Sequence, residues 1–442
     1  MRTSTRRIGL LPAALAAVLA AAACDGDSDG GGGDAGGTPG AGESEEVAGE
    51  LRVVHNWTGP EGEAFQAVID GFEEANPDVT VELEQVPFDQ TQALLTQQFA
   101  QGDPPDVAVG LPGIVRNLAD QDLLLELDDV WDTWVEEGAY TDSLRAVASA
   151  GLDNTYAIYF KGNVNGLIWY TPAQLERLGL QPPQTWEEFT GAMDQAAAEG
   201  IQPLVVGGKD SWPLTQWADP VILGVAGPEK FAALARGEIG WDDPDIVAAF
   251  ETYAEVARNY FPENTLDLGF IDETCGRALG DYMFQNQGAF ISLIAPAECD
   301  ESLVPGEDFT FFKMPQPDAS VPSAQAVSGD LFFGAADTDN EAATRALLEY
   351  LGSADAQSIW AERGGYIAPN ADVAPDVYPT DIDRQAAELW PTDPSVAAGY
   401  DLDDWIGGEI QSTYTQALQQ LVRDYDVGAF IETMTQVDTR SQ

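Results

Sequence analysis

Histidine occurs once in the 442 residues, at His55, and cysteine three times, at Cys24, Cys275 and Cys299. A transition-metal centre draws several such ligands together at short spacing, and no clustered spacing of that kind is present, so no metal is expected. Positive charge is equally scarce. Nineteen Lys and Arg stand against 75 Asp and Glu, giving a formal net charge of -56 and a pI of about 4.1. A field of that sign repels phosphate backbones, which argues against nucleic acid as a partner. Such acidity otherwise serves solubility or a salty habitat. Nucleophile-elbow, metalloprotease and phosphate-loop motifs are all missing, so neither a catalytic residue nor a cofactor is expected. One enzyme class survives a count of residues: a glycosidase needs only two carboxylates at a set separation.

The one apolar run near the start, from Ile8, is too short and too alanine-rich for a comfortable membrane span. It belongs to "MRTSTRRIGLLPAALAAVLAAAAC", with basic Arg2, Arg6 and Arg7 ahead of it and small residues leading to Cys24. That is the layout of a secretory signal over 1–23. The following stretch of Gly, Asp, Ser and Glu has almost nothing to bury and reads as a flexible tether over 24–49. Here the chain resembles a bacterial lipoprotein, in which the cysteine after the signal carries lipid. Ala21 stands where leucine is usual. The resemblance implies a protein anchored through Cys24 to the outer face of the cell membrane, touching the bilayer by that lipid alone.

What remains is too long for one compact core, so two domains are expected. With 44% hydrophobic residues the chain can bury them. Cys275 and Cys299, in an exported protein, are expected to close one loop as a disulfide, the alternative being two separate buried thiols. "ELRVVHNW" reads as a strand, and Phe65, Val68, Ile69 and Phe72 follow at helical spacing until Asn76-Pro77. "VTVELEQVP" and "DVAVG" are further strands separated by a helix. This alternation predicts an α/β fold with a largely parallel sheet, and ligands beyond the carboxyl ends of its strands. Two apolar extended segments are interrupted by polar and glycine residues, at Gly162–Gly166 and at Ser328–Asp330.

"VNGLIWYTPAQLERLGL" with the following "PPQTWEEF", "ALGDYMFQNQGAFI" and "ALLEYLGSADAQSIWAERGGYIAPN", in that order and spacing, resemble a sugar-binding solute-binding protein of an ABC importer. "TFFKMPQP", "SGDLFF" and the two later cysteines look most like its alpha-glucoside-binding branch. The resemblance implies a two-lobed, type II periplasmic-binding-protein-like fold with a ligand cleft between lobes joined by hinge crossings. One lobe is expected to comprise 50–161 plus 330–368 and the other 162–329 plus 369–442. The crossings are expected at Gly162–Gly166, near Gly329-Asp330 and near Gly364–Ala368, where glycine tolerates the torsions of a bend. The implied partners are a sugar and the permease subunits, and the protein is expected as a monomer.

A sugar offers flat C–H faces and a rim of hydroxyls, which suit aromatic rings and carboxylate or amide groups. The candidate ligand-binding residues are those at expected strand ends and crossings: Trp57, Glu61, Lys161, Asn163, Trp212, Trp217, Asp219, Asp330, Arg363, Tyr366, Asp404 and Trp405. Asp330 and Trp217 stand first among them. Core packing is an equal alternative for any single Trp. The expected function is capture of an alpha-glucoside or other oligosaccharide and its delivery to a permease. The alternatives are a binder of a non-sugar polar solute and an anchored glycosidase.

Overall fold

The computed structural model describes residues 47–391 and 397–440; the signal, Cys24 and the tether to residue 46 lie outside the described residues. Among the described residues ten strands form two sheets. In the first, β1 (Gly49–His55) lies parallel between β2 (Val79–Gln85) and β3 (Val107–Gly110). Every residue of β3 is buried, as a strand covered on both faces requires. The helices Gly59–Ala75 and Phe88–Gln101 connect these strands. The first buries Phe65, Val68, Ile69 and Phe72 along one stripe, and the second ends at Gly102, in the left-handed conformation that favours glycine there.

The second sheet has the order β6 (Gln202–Val205), β7 (Tyr282–Gln287), β5 (Leu167–Tyr170) and β8 (Thr310–Lys313). Side chains of β5 alternate as a strand dictates. Ile168 and Tyr170 face the core shared with the C-terminal helices, whereas Leu167 and Trp169 face the core of the first sheet. Among the described residues no helix is long and apolar enough to cross a membrane.

Two long strands knit the parts together. β4 (Ala157–Val164) runs antiparallel along β9 (Ala324–Gly334), pairing Lys161 with Asp330 and Gly162 with Gly329. β9 also pairs with β3 at one end and with β10 (Ala397–Tyr400) at the other. The glycines therefore do not break these strands, contrary to the sequence expectation. They permit close approach: a Cβ on Gly329 would lie 2.2 Å from the Lys161 carbonyl oxygen, and one on Gly162 would lie 2.9 Å from the Trp390 ring. The change of sheet falls at Asn165-Gly166, where Gly166 has φ +78°. The chain returns from β8 to β9 through 314–323 and passes over a third time at Tyr400–Leu402. The Gly364–Ala368 segment lies instead against β4, with the Gly162 amide donating to the Ile367 carbonyl at 2.8 Å. Gly364 and Gly365 both have positive φ, and after them Tyr378, Ile382, Ala386 and Trp390 pack in the first core. From Leu402 onward, Ile406, Tyr414 and Leu418 pack in the second.

Candidate functional site

Where β1 ends, Asn56, Trp57 and Thr58 lead into a helix whose first turn carries Pro60 and Glu61. Together with Leu111 after β3, Lys161 and Asn163 on β4 and Ser328–Asp330 on β9, they form one wall of a cavity of about 360 Å³. The facing wall comes from Trp212, Thr215, Gln216, Phe270, Ile271 and Phe290, with Asp401, Asp403 and Asp404 from the third passage. The volume lies within the range of roughly 300–1,000 Å³ in which small molecules are held. A second chamber of about 220 Å³ continues between the helix Phe88–Gln101 and Gln411, sharing Asn56, Phe88, Leu111, Trp212 and Asp403 with the first.

Charge in the cavity is arranged around Lys161. Its ammonium pairs with the Glu61 carboxylate and sits 5.0 Å from the Trp360 ring centroid and 5.8 Å from that of Trp57. Rings that offer their faces to a desolvated ammonium stabilise it. Asp330 lies opposite on the next strand. Burial pushes its carboxyl up to about 6, against the pull of Lys161 and a hydrogen bond from Trp57. Burial alone lowers His55 to about 4, so this imidazole is neutral near pH 7. In the facing wall Trp212, half-buried, packs 5.0 Å from Phe270 and 6.4 Å from Phe290. The cavity thus offers aromatic surface, carboxylates and amides converging from two sides, a combination that holds a small polyhydroxylated ring by its faces and its rim.

The structure brings Trp57, Glu61, Lys161, Asn163, Trp212, Asp330 and Asp404 together around this cavity. Asn163 is largely occupied within the protein. Its amide nitrogen donates to Asn165 at 2.5 Å and to Ser328 at 3.1 Å, and its oxygen accepts from the Ala289 amide at 3.0 Å. Five candidates lie elsewhere. Trp217 is fully buried in the second core, parallel to Phe189 at 6.5 Å and against Phe261 at 5.8 Å. It sits in the helix Thr215–Ala235, where its position faces inward. Asp219, two residues on, accepts the Leu402 amide at 2.7 Å and anchors the third passage. Arg363 is exposed and donates to the Ile359 carbonyl of the preceding helix, Ala354–Ala361. Tyr366 is buried, stacked 5.3 Å from Trp360, with its hydroxyl on the Phe160 carbonyl. Trp405 is half-buried under the Arg116 guanidinium at 5.3 Å. Cys275 and Cys299 form a disulfide between the helices Phe270–Ala278 and Ile291–Glu298, whose residues line the cavity.

Sequence reasoning did not name Phe88, Phe270 or Phe290, which line the cavity. Phe88 is 46% exposed, and no periodicity marks an aromatic side chain that faces a cleft. It also missed the carboxyls of Asp401 and Asp403, which join Asp219 in a group where one oxygen from each lies within 4.8 Å of the others.

The family described as bacterial extracellular solute-binding protein matches residues 56–268. The chain is 27% identical over 349 residues to the alpha-glucosides-binding periplasmic protein AglE of Rhizobium meliloti, covering 74% of each. It is 25% identical over 301 residues to the osmoprotective compounds-binding protein GgtB of Synechocystis, covering 65% of this chain and 69% of that one. Among solved structures it matches the bacterial solute receptor AcbH, described by an exclusive preference for β-D-galactopyranose, with TM-score 0.79 and 20% identity over 89% of this chain and 99% of that one. A chitin oligosaccharide binding protein matches with TM-score 0.77 and 18% identity over the same shares. The fold is therefore the two-lobed type II arrangement of periplasmic binding proteins. Over residues 56–268 the chain is similar to the bacterial extracellular solute-binding proteins.

Proposed function

We propose that this protein captures a sugar, an alpha-linked glucoside or related oligosaccharide, in the cleft between its lobes and delivers it unaltered to the permease of an ABC importer. The observation that carries this reading is the cavity itself. Aromatic surface from Trp57, Trp212 and Phe270 converges there with the carboxylates of Glu61, Asp330 and Asp404. The relatives named for alpha-glucosides and for osmoprotective compounds support a small hydroxylated ligand. The adjoining chamber gives room for more than one ring. Anchoring through lipid on Cys24 would hold the binding domain near its permease at the outer membrane face, with the tether giving it reach.

Calorimetry against a panel of mono- and oligosaccharides tests the reading. At least one alpha-glucoside should bind in the micromolar range, and recovered ligand should be chemically intact. Asp330→Ala removes a charged hydrogen-bond acceptor worth about 1.5–3 kcal/mol, so affinity should fall about 10- to 100-fold. Binding of a non-sugar polar solute with no sugar response would replace this reading, and appearance of split product would replace it with a glycosidase.

A further inference from the structure

Lys161 is the one basic residue, among the described residues, that lines either chamber of the cleft. Its charge is committed within the wall. The residue is 6% exposed, and its ammonium contacts the Glu61 carboxylate, which is itself largely buried. The rings of Trp57 and Trp360 stand against further sides of the same ammonium. Asp330 is its partner in the strand register. Acid groups supply the rest of the charged lining: Glu298, Asp401, Asp403 and Asp404 beside Glu61 and Asp330, and Asp210 in the adjoining chamber. Burial pushes the carboxyls of Asp401, Asp403 and Asp404 upward. A carboxyl that keeps its proton turns neutral and still supplies no positive charge.

We propose that the Lys161–Glu61 pair sets the charge class of the ligand: the cleft accepts uncharged glycosides and rejects sugars that carry a carboxylate or a phosphate. This rests on the reading of the cavity as a sugar site and narrows that reading. An anion entering the cleft gives up its water and recovers the cost only from a cation or from several aligned donors. The one ammonium present would have to leave Glu61, and a largely buried carboxylate would then stand unpaired. A neutral sugar meets no such cost, because its hydroxyls donate to the carboxylate oxygens that Lys161 leaves free. Lys161 is thus a positioning residue, holding Glu61 in the wall and drawing Asp330 toward its ionised form. The same pairing makes a latent anion site. With Glu61 made neutral, an ammonium without a carboxylate in contact would stand in a cavity of sugar size.

Calorimetry on the whole exported protein near neutral pH tests this with matched probes: methyl α-glucoside against methyl α-glucuronide, and maltose against its terminal phosphate ester. Each pair is measured at about 0.15 M and about 0.5 M NaCl, because high salt screens the field of the whole chain far more than a buried pair. The wild type should bind each anionic probe about 100-fold more weakly than its neutral partner, or not at all, at both salt concentrations. Glu61→Gln, which keeps shape and loses charge, should strengthen binding of the anionic probes about tenfold or more. If that variant fails to fold, Asp330→Asn, which removes the other carboxylate beside Lys161, is read in its place and should shift the anionic probes the same way. A wild type that binds the anionic probes as well as the neutral ones overturns the proposal. So does anion binding that appears in the wild type at high salt, which would assign the rejection to net charge, and so does a variant that gains no anion affinity. A wild type that binds neither neutral probe, while the variant gains the anionic ones, would count against the sugar reading and leave the charge assignment standing.

Discussion

Trp212 and Trp217 lie five positions apart in one segment, yet their side chains meet different surroundings. Trp212 stands before the helix Thr215–Ala235, half-buried against Phe270 at the cavity wall, whereas Trp217 is enclosed by Phe189 and Phe261. Trp212→Ala should therefore weaken sugar binding about tenfold or more while leaving the melting temperature almost unchanged. Trp217→Ala leaves a cavity in a packed core and should cost about 3–5 kcal/mol of stability. Calorimetry and thermal melts on both variants check this; the opposite assignment of effects would place Trp217 at the ligand. The acids Asp330, half-buried in the cavity wall, and Glu273, fully buried, make a second prediction. Burial raises Asp330 to about 6 and Glu273 to about 8. In the native state each group holds its proton at pH values where the unfolded chain has lost it. Their contribution is present at low pH and is lost as pH rises through those values. In EDTA and at constant ionic strength, the melting temperature should fall between about pH 5 and about pH 8. Glu273→Gln should flatten the upper part of that slope. A melting temperature that rises across this range would contradict the assignment.

β4 and β9 are the elements on which the site depends, since their pairing places Lys161 opposite Asp330. The hydrophobic runs of both were legible, but the meaning of their glycines was not. A glycine within an apolar run signals a bend and a close approach equally well, and only the neighbouring strand distinguishes them. At Gly329 that neighbour is the Lys161 carbonyl, 2.2 Å from where a Cβ would stand. Gly329→Ala should force the two strands apart, cost about 1–3 kcal/mol, and reduce sugar affinity because Asp330 moves relative to Lys161 with the backbone. A variant with unchanged melting temperature and affinity would show that the strands have slack. At Gly166, by contrast, φ of +78° is a true bend, as the sequence reading expected of this segment.

For the whole molecule, the expected behaviour is closure. Phe88 and Ile271 are among the most exposed large apolar side chains, at 46% and 42%, and both line the same cavity from opposite walls. Exposed apolar surface on facing lips is covered when the lips approach. A ligand that touches both lobes binds the closed form better and shifts the population toward it. Small-angle scattering should show a smaller radius of gyration at saturating sugar than without it. An unchanged radius at saturation would mean that the ligand enters a cleft already closed.

The sequence by itself determined the local elements and the two-lobed α/β fold class. Helix and strand periods follow from which side chains must leave water, and that information is local. It also supplied Trp57, Glu61, Lys161 and Asp330, because ligands gather at strand ends and these residues stand at or beside them. What the sequence could not decide were the properties that depend on distance across the chain. Trp217 is core and Phe88 is cleft only because of what packs against each. Asp219 and Asp401 are 182 positions apart and meet only when the last passage folds back onto the second lobe. The tertiary structure decided these points because burial and charge proximity depend on the assembled fold and not on neighbouring letters.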